Sequence, residues 1–161
     1  MHEGLGVLRQ LDLEWERIGK GPRGRAALRR WASDDSCLVG LRSLDELVER
    51  VNERGNPARS DAILLALVRR AATDDLAART VLQAMMPAAK NLTSKFSACG
   101  AWSAEETAAE VVAAMWERIR SYPVDRRPAK IAANLMLDTR QRVWRKGYKQ
   151  VHGRLPRAKA A

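Results

Sequence analysis

Histidine and cysteine are scarce in this 161-residue sequence, two of each. His2 and His152 stand at opposite ends, and Cys37 and Cys99 show no CxxC or Cys/His spacing, so no metal site is expected. Both thiols are expected to be reduced and packed in the core. Aromatic residues make up only 5% of the chain and Phe occurs once. No stretch alternates Val, Ile, Thr and Tyr with polar residues as half-buried strands do, which argues against a sheet. Long apolar runs are absent too: nothing approaches the roughly 18 residues of a membrane span, and the acids of MHEGLGVLRQLDLEWER interrupt what a signal peptide would need to be apolar. A soluble, cytoplasmic protein without a membrane partner is expected. No phosphate-cradling glycine loop and no nucleophile with a nearby base can be found, so neither an enzyme nor a cofactor is expected.

What the sequence does have is helix-forming residues, with Ala, Leu, Arg and Glu prominent and 46% of residues hydrophobic, enough for a core. The fold class expected is all-α, a multi-helix bundle. Leu5, Leu8, Leu11, Trp15 and Ile18 recur every three or four residues, one face of an amphipathic helix ending at GKGPRG. A short helix is predicted over 25–32. Ser43 with Glu46 matches a capping box before a helix from about Leu44 to Glu53, and Ser60 is read as the cap of the next. Asp74 and Asp75 interrupt or cap, and Pro87 must kink or divide the helix around it. Ser103 with Glu106 forms a second capping box at the head of SAEETAAEVVAAMWERIRSY, which Pro123 ends. Pro128 is read as the start of a helix to about Lys146 with two distinct faces: Ile131, Leu135, Met136, Thr139 and Val143 on one, and Lys130, Asn134, Leu137, Gln141, Trp144 and Arg145 on the other.

Charge of one sign is nearly missing from the last quarter. Residues 118–161 hold 13 Lys/Arg against only Asp125 and Asp138, a net +11, whereas residues 1–117 hold 16 against 17 acids, a net −1. Such concentration is the footprint of a polyanion-binding element, with nucleic acid the first candidate. The lysines and arginines of this segment can neutralise phosphates and release counterions. Trp144 and Tyr148 offer flat faces for unstacked bases, although packing on a neighbouring helix is the alternative for Trp144.

The strings DDLAARTVLQAMMPAAKNL, EETAAEVVAAMWERI and KIAANLMLDTRQRVWRK, in that order, resemble successive helices of region 2 of the sigma-70 family of bacterial RNA polymerase factors, especially its compact extracytoplasmic-function group. In the second string, Trp116 matches the family's tryptophan, Glu106 and Glu110 its acids and Val112 its aromatic, with Ala109 in place of a glutamine. In the third, Asn134, Leu135, Asp138 and Arg140 or Arg142 fall on its pattern. The likeness covers about residues 62–146, and DRRPAK stands where the family carries a Trp-Leu turn.

The resemblance implies a sigma-like regulator that binds promoter DNA, duplex or melted, through the basic helix and its flanks, with Arg126, Arg127, Lys130, Asn134, Gln141, Arg142, Trp144, Arg145, Lys146 and Lys149 as the candidate DNA contacts. It also implies contact with core RNA polymerase through Glu105, Glu106 and Glu110. The other reading is a protein-interaction module on a sigma-like scaffold, which binds polymerase or another regulator without specific DNA recognition. Regulation is expected more than autonomous initiation, since no second promoter-binding segment follows. The organisation expected is a helical extension over 1–60, a sigma region 2-like domain over 61–149 and a basic tail over 150–161. The apolar residues of the N-terminal helices, with Trp31, are expected either to pack on the later helices or to form a surface for a second copy or a regulatory protein.

Overall fold

Side chains that satisfy the free amides of a first helical turn set most of the helix starts. The computed structural model describes residues 6–148, and these form eight α-helices with no strand among them. The first, α1, spans Gly6–Ile18, and α2, Pro22–Asp34, places Pro22 in its first turn, where no amide is needed. A 3-10 turn at Ser36–Leu38 leads to α3, Leu44–Val51, capped by Ser43 Oγ, which accepts from Glu46 N at 3.0 Å. The next helix, α4, spans Pro57–Ala71, and its cap is Asn56 rather than the predicted Ser60. Ser60 instead donates to the carbonyl of Val51 at 2.7 Å, tying α4 back to α3. Asp74 caps α5, Asp75–Ala84, by accepting from Leu76 N and Ala77 N. Pro87 then divides the chain: Met85 leaves helical geometry and α6, Met86–Ser97, starts afresh. The predicted capping box at Ser103 and Glu106 opens α7, Ala104–Ser121. The last, α8, spans Ile131–Val143 and runs into a π-helical turn, Trp144–Tyr148.

The longest helix, α7, is the organising element, packed against α8, α6, α5, α4 and α1. Its stripe of Ala108, Val111, Met115 and Ile119 is buried, as is the Ile131, Leu135, Thr139 and Val143 stripe of α8. One hydrophobic core runs unbroken from Leu8 to Trp144, each fully buried Leu or Ile contributing about 1.5–3 kcal/mol. The boundary expected at residue 60 falls inside α4, and this core crosses it.

Most N-terminal apolar residues face inward, Leu13 and Val39 being exposed. Leu8, Trp15 and Trp31 are buried and Leu11 packs against the core, so these four offer no surface to a second copy; Leu5 lies outside the described residues. A polar clasp adds to the packing. The buried Arg79 guanidinium donates to the Leu11 carbonyl (2.8 Å) and Gln83 Oε1 (3.0 Å) and lies over the Trp15 ring (5.3 Å), while Asp12 accepts from Gln83 and Lys90. Gly24 allows α2 to approach α3, because a Cβ there would lie 2.9 Å from Leu44 Cδ1.

The cysteines correct one expectation. Cys37 is partly buried, with its thiol pKa raised first by burial and then by Asp35, but Cys99 is exposed in the loop after α6. Among the described residues no group of three or more His, Cys, Asp or Glu could hold a metal ion, and no helix is long and apolar enough to cross a membrane.

Candidate nucleic-acid interface

Pro123 ends α7, and Tyr122 organises the turn that follows. Its hydroxyl donates to the Arg127 carbonyl at 2.7 Å and accepts from Asn134 Nδ2 at 2.9 Å; the same amide group donates to the Ala129 carbonyl at 3.0 Å. Asn134, predicted as a base contact, is thus spent on holding this turn against α8. The helix does not begin at Pro128 as predicted. Lys130 takes a left-handed conformation (φ 58°), and Asp61 of α4 accepts from the amides of Lys130 (3.0 Å) and Ile131 (2.9 Å). A carboxylate 70 residues upstream therefore supplies the cap of α8 and complements the positive end of its dipole.

Ion pairs join α7 to α8 along their length. Asp138 of α8 accepts from Arg118 Nε of α7 (2.8 Å) and from Arg127 Nη1 of the turn (2.7 Å). Burial alone would raise the Asp138 pKa, but the hydrogen bonds and charges of Arg127 and Arg118 outweigh it and hold the carboxyl below its ordinary value. Glu117 accepts from Arg142 at 2.7 Å, and Glu110 lies 2.9 Å from Lys146. As the α7 number falls the α8 number rises, so the two helices are antiparallel. Three predicted DNA contacts, Arg127, Arg142 and Lys146, are consequently held by acids of the protein itself.

The outward half of α8 is different. Lys130, Arg140, Gln141 and Arg145 are exposed, Arg126 is exposed in the preceding turn, and the Leu137 side chain among them is 50% exposed. Among the described residues, none of Arg126, Lys130, Arg140 and Arg145 has an ion-pair partner within 4.0 Å. Arg140 was not among the expected DNA contacts, yet its position three residues from Leu137 puts it on this face. Lys149, and the side chain of Tyr148, lie outside the described residues.

Trp144 corrects the expectation of a base-stacking platform: it is 2% exposed and part of the core. The α-helical register ends at Val143, and Trp144 opens the π-helical turn with its side chain covered by the core. Gly147 anchors the same turn, since a Cβ there would fall inside the Trp102 ring. Near the start of α7, Glu106 is taken up by the capping box, where hydrogen bonds from Ser103 lower its pKa, and Glu110 pairs with Lys146. Only Glu105 of the three predicted polymerase contacts is exposed and outside these bonds. Trp116, half-buried, carries the Arg120 guanidinium 5.4 Å above its ring. Lys130 also stands at the rim of a largely apolar groove of about 840 Å³, floored by Leu64, Met85 and Met136.

No family model matches the chain, and no curated protein and no solved structure matches it.

Proposed function

We propose that this protein is a nucleic-acid-binding regulator that docks the outward half of α8, with the turn before it, on the phosphate backbone of duplex DNA. The observation that carries the reading is that Arg126, Lys130, Arg140 and Arg145, in α8 and the turns at its two ends, are exposed and without ion-pair partners among the described residues, as Leu137 and Gln141 are exposed on the helix itself. The cations would anchor phosphates and release counterions. Gln141 can read a base edge, and Leu137 can meet an apolar thymine methyl. The likeness to sigma region 2 supports promoter DNA as the target and core RNA polymerase as the partner, with Glu105 as the acid best placed for that contact.

Fluorescence anisotropy of labelled promoter duplex and of the same DNA with a mismatched bubble tests the proposal. Affinity should fall with salt by about 0.9 log units per log unit of salt for each phosphate neutralised, and Arg140→Gln with Arg145→Gln should remove about 1.8 from that slope. With Trp144 buried, duplex and bubble should bind within a few-fold of each other. A salt-independent affinity, or a slope indifferent to the double substitution, would sink the proposal. In a pull-down with core polymerase, Glu105→Lys should lower recovery while leaving the DNA slope unchanged.

A further inference from the structure

A second basic surface lies on the opposite side of the sequence from the first. Residues 17–33 contain Arg17, Lys20, Arg23, Arg25, Arg29 and Arg30 and no acid, and all six cations are exposed. None of the six is in an ion pair among the described residues. Helix α2 explains the arrangement. It buries Gly24, Ala27, Leu28 and Trp31, which at 100° per residue occupy one side. Arg23 with Arg30 and Arg25 with Arg29 then form two rows flanking the outward ridge of Ala26 and Ser33. The nearby acids are engaged elsewhere: Asp45 accepts the Trp15 indole N–H at 3.2 Å, Asp35 lies 2.6 Å from Arg70, and Asp34 also faces Arg70. Glu16, beside Arg17, is the exception.

We propose that α2 is a second phosphate-binding surface, which clasps the backbone of a nucleic acid between its two arginine rows. Unpaired like charges on neighbouring turns repel one another, and a polyanion relieves that repulsion by releasing its counterions. An anionic membrane would also supply phosphates, but apart from its arginines α2 exposes only Pro22, Ser33 and Asp34, with Ala26 and Ala32 half-buried, and so has no large apolar side chain to enter a bilayer. The helix C-terminus also adjoins the C-terminal end of α4 through the Asp34 and Asp35 pairs with Arg70 and Arg69. Arg69 lines the same cleft as Arg126, so one α4 end borders both basic surfaces. The inference rests on the α8 reading only for its choice of polyanion.

The test uses the full chain, a fluorescein-labelled duplex and a series of salt concentrations. Replacing Arg23, Arg25, Arg29 and Arg30 by Gln should lower the log affinity against log salt slope by about 3.6 if all four meet phosphates and by at least about 1.8 if one row does. Far-UV circular dichroism and the urea midpoint check that the variant folds. If it does not, Arg25→Gln with Arg29→Gln, on one row, is expected to remove about 1.8. A change smaller than about 0.9, less than one phosphate, overturns the inference. Comparison with Arg140→Gln/Arg145→Gln separates the two readings. An α8 effect without an α2 effect overturns this inference alone, and an α2 effect without an α8 effect overturns the first proposal alone. Absence of wild-type binding overturns both. Binding to phosphatidylserine vesicles that the α2 variant loses, with its DNA slope unchanged, would assign the surface to lipid and overturn the inference.

Discussion

Two basic regions of this molecule differ in how much of their charge is available. Residues 118–146 hold nine Lys/Arg, of which Arg118, Arg120, Arg127, Arg142 and Lys146 are in ion pairs with acids of α5, α7 and α8. Residues 17–33 hold six, and the described residues pair none of them. Net charge ranks residues 118–161 (+11) far ahead of residues 1–117 (−1), yet among the described residues the cations without an ion pair number four in 118–146 and six in 17–33. The acids of the N-terminal three-quarters, which made that part look neutral, are partly consumed in pinning the C-terminal cations. Charge density in a sequence is therefore a poor measure of the field a ligand meets once tertiary ion pairs have formed.

The comparison breaks most visibly at Asp138. Asp138→Asn leaves Arg118 and Arg127 without their shared carboxylate in a partly buried site. It should cost about 2 kcal/mol, as charge-assisted hydrogen bonds are lost, read from urea denaturation. Because the folded pKa lies below the ordinary aspartate value of about 3.9, the stability from this carboxylate is fully present above that pH and is lost as pH falls toward the folded pKa. The variant should lose that part of the acid dependence. DNA affinity should rise at the same time, since Arg127 beside the α8 strip is released. A variant as stable as wild type, with unchanged affinity, would mean that the pairing does not withhold charge.

A smaller effect is expected at the joint between α4 and α8. Asp61→Ala removes the acceptor of the Lys130 and Ile131 amides and should cost about 1–2 kcal/mol, the ordinary loss for a helix cap. Amide exchange should quicken in the first turn of α8 before it does elsewhere. The slope assigned to the α8 strip should fall as Lys130 loses its fixed place, while the part removed by α2 substitutions should be unchanged. If both parts fall together, the two surfaces are one cooperative site.

This joint also marks where sequence reasoning stops. Local chemistry was readable: the full capping box of Ser103 with Glu106, Ser43 as the cap of α3 although Glu46 accepts from Arg42 N and leaves that box half made, Asp74 as a cap, Pro87 as a divider, and the buried stripes of α7 and α8. These depend on neighbours within a turn or two. Asp61 was not readable as a cap, because its amides are 69 and 70 residues away. Trp144 was placed on the outward face by the 3.6-residue period, which says nothing of the other elements that cover the end of α8 and bury it. The candidate site suffered most, since whether Arg127, Arg142 or Lys146 is available depends on which acids α7 and α8 bring opposite them. The α2 rows were visible as six bases without an acid, but the overall charge balance of residues 1–117 concealed them.

The smallest stability effect carries the sharpest information. Glu117→Gln unpairs Arg142, and Glu110→Gln unpairs Lys146, at pairs whose side chains remain substantially exposed. Solvent screening limits each pair to about 0.5 kcal/mol, so the urea midpoint should barely move. Yet each substitution removes one negative charge from the rim of the α8 strip and returns one cation to it. If the released cation reaches a phosphate, the salt slope should steepen by up to about 0.9, and the double variant should gain nearly the sum. That gain would bring the C-terminal region back toward the ranking its sequence suggests. A flat response would instead place Arg142 and Lys146 outside the footprint on α8, leaving Arg126, Lys130, Arg140 and Arg145 as the cations of that surface among the described residues.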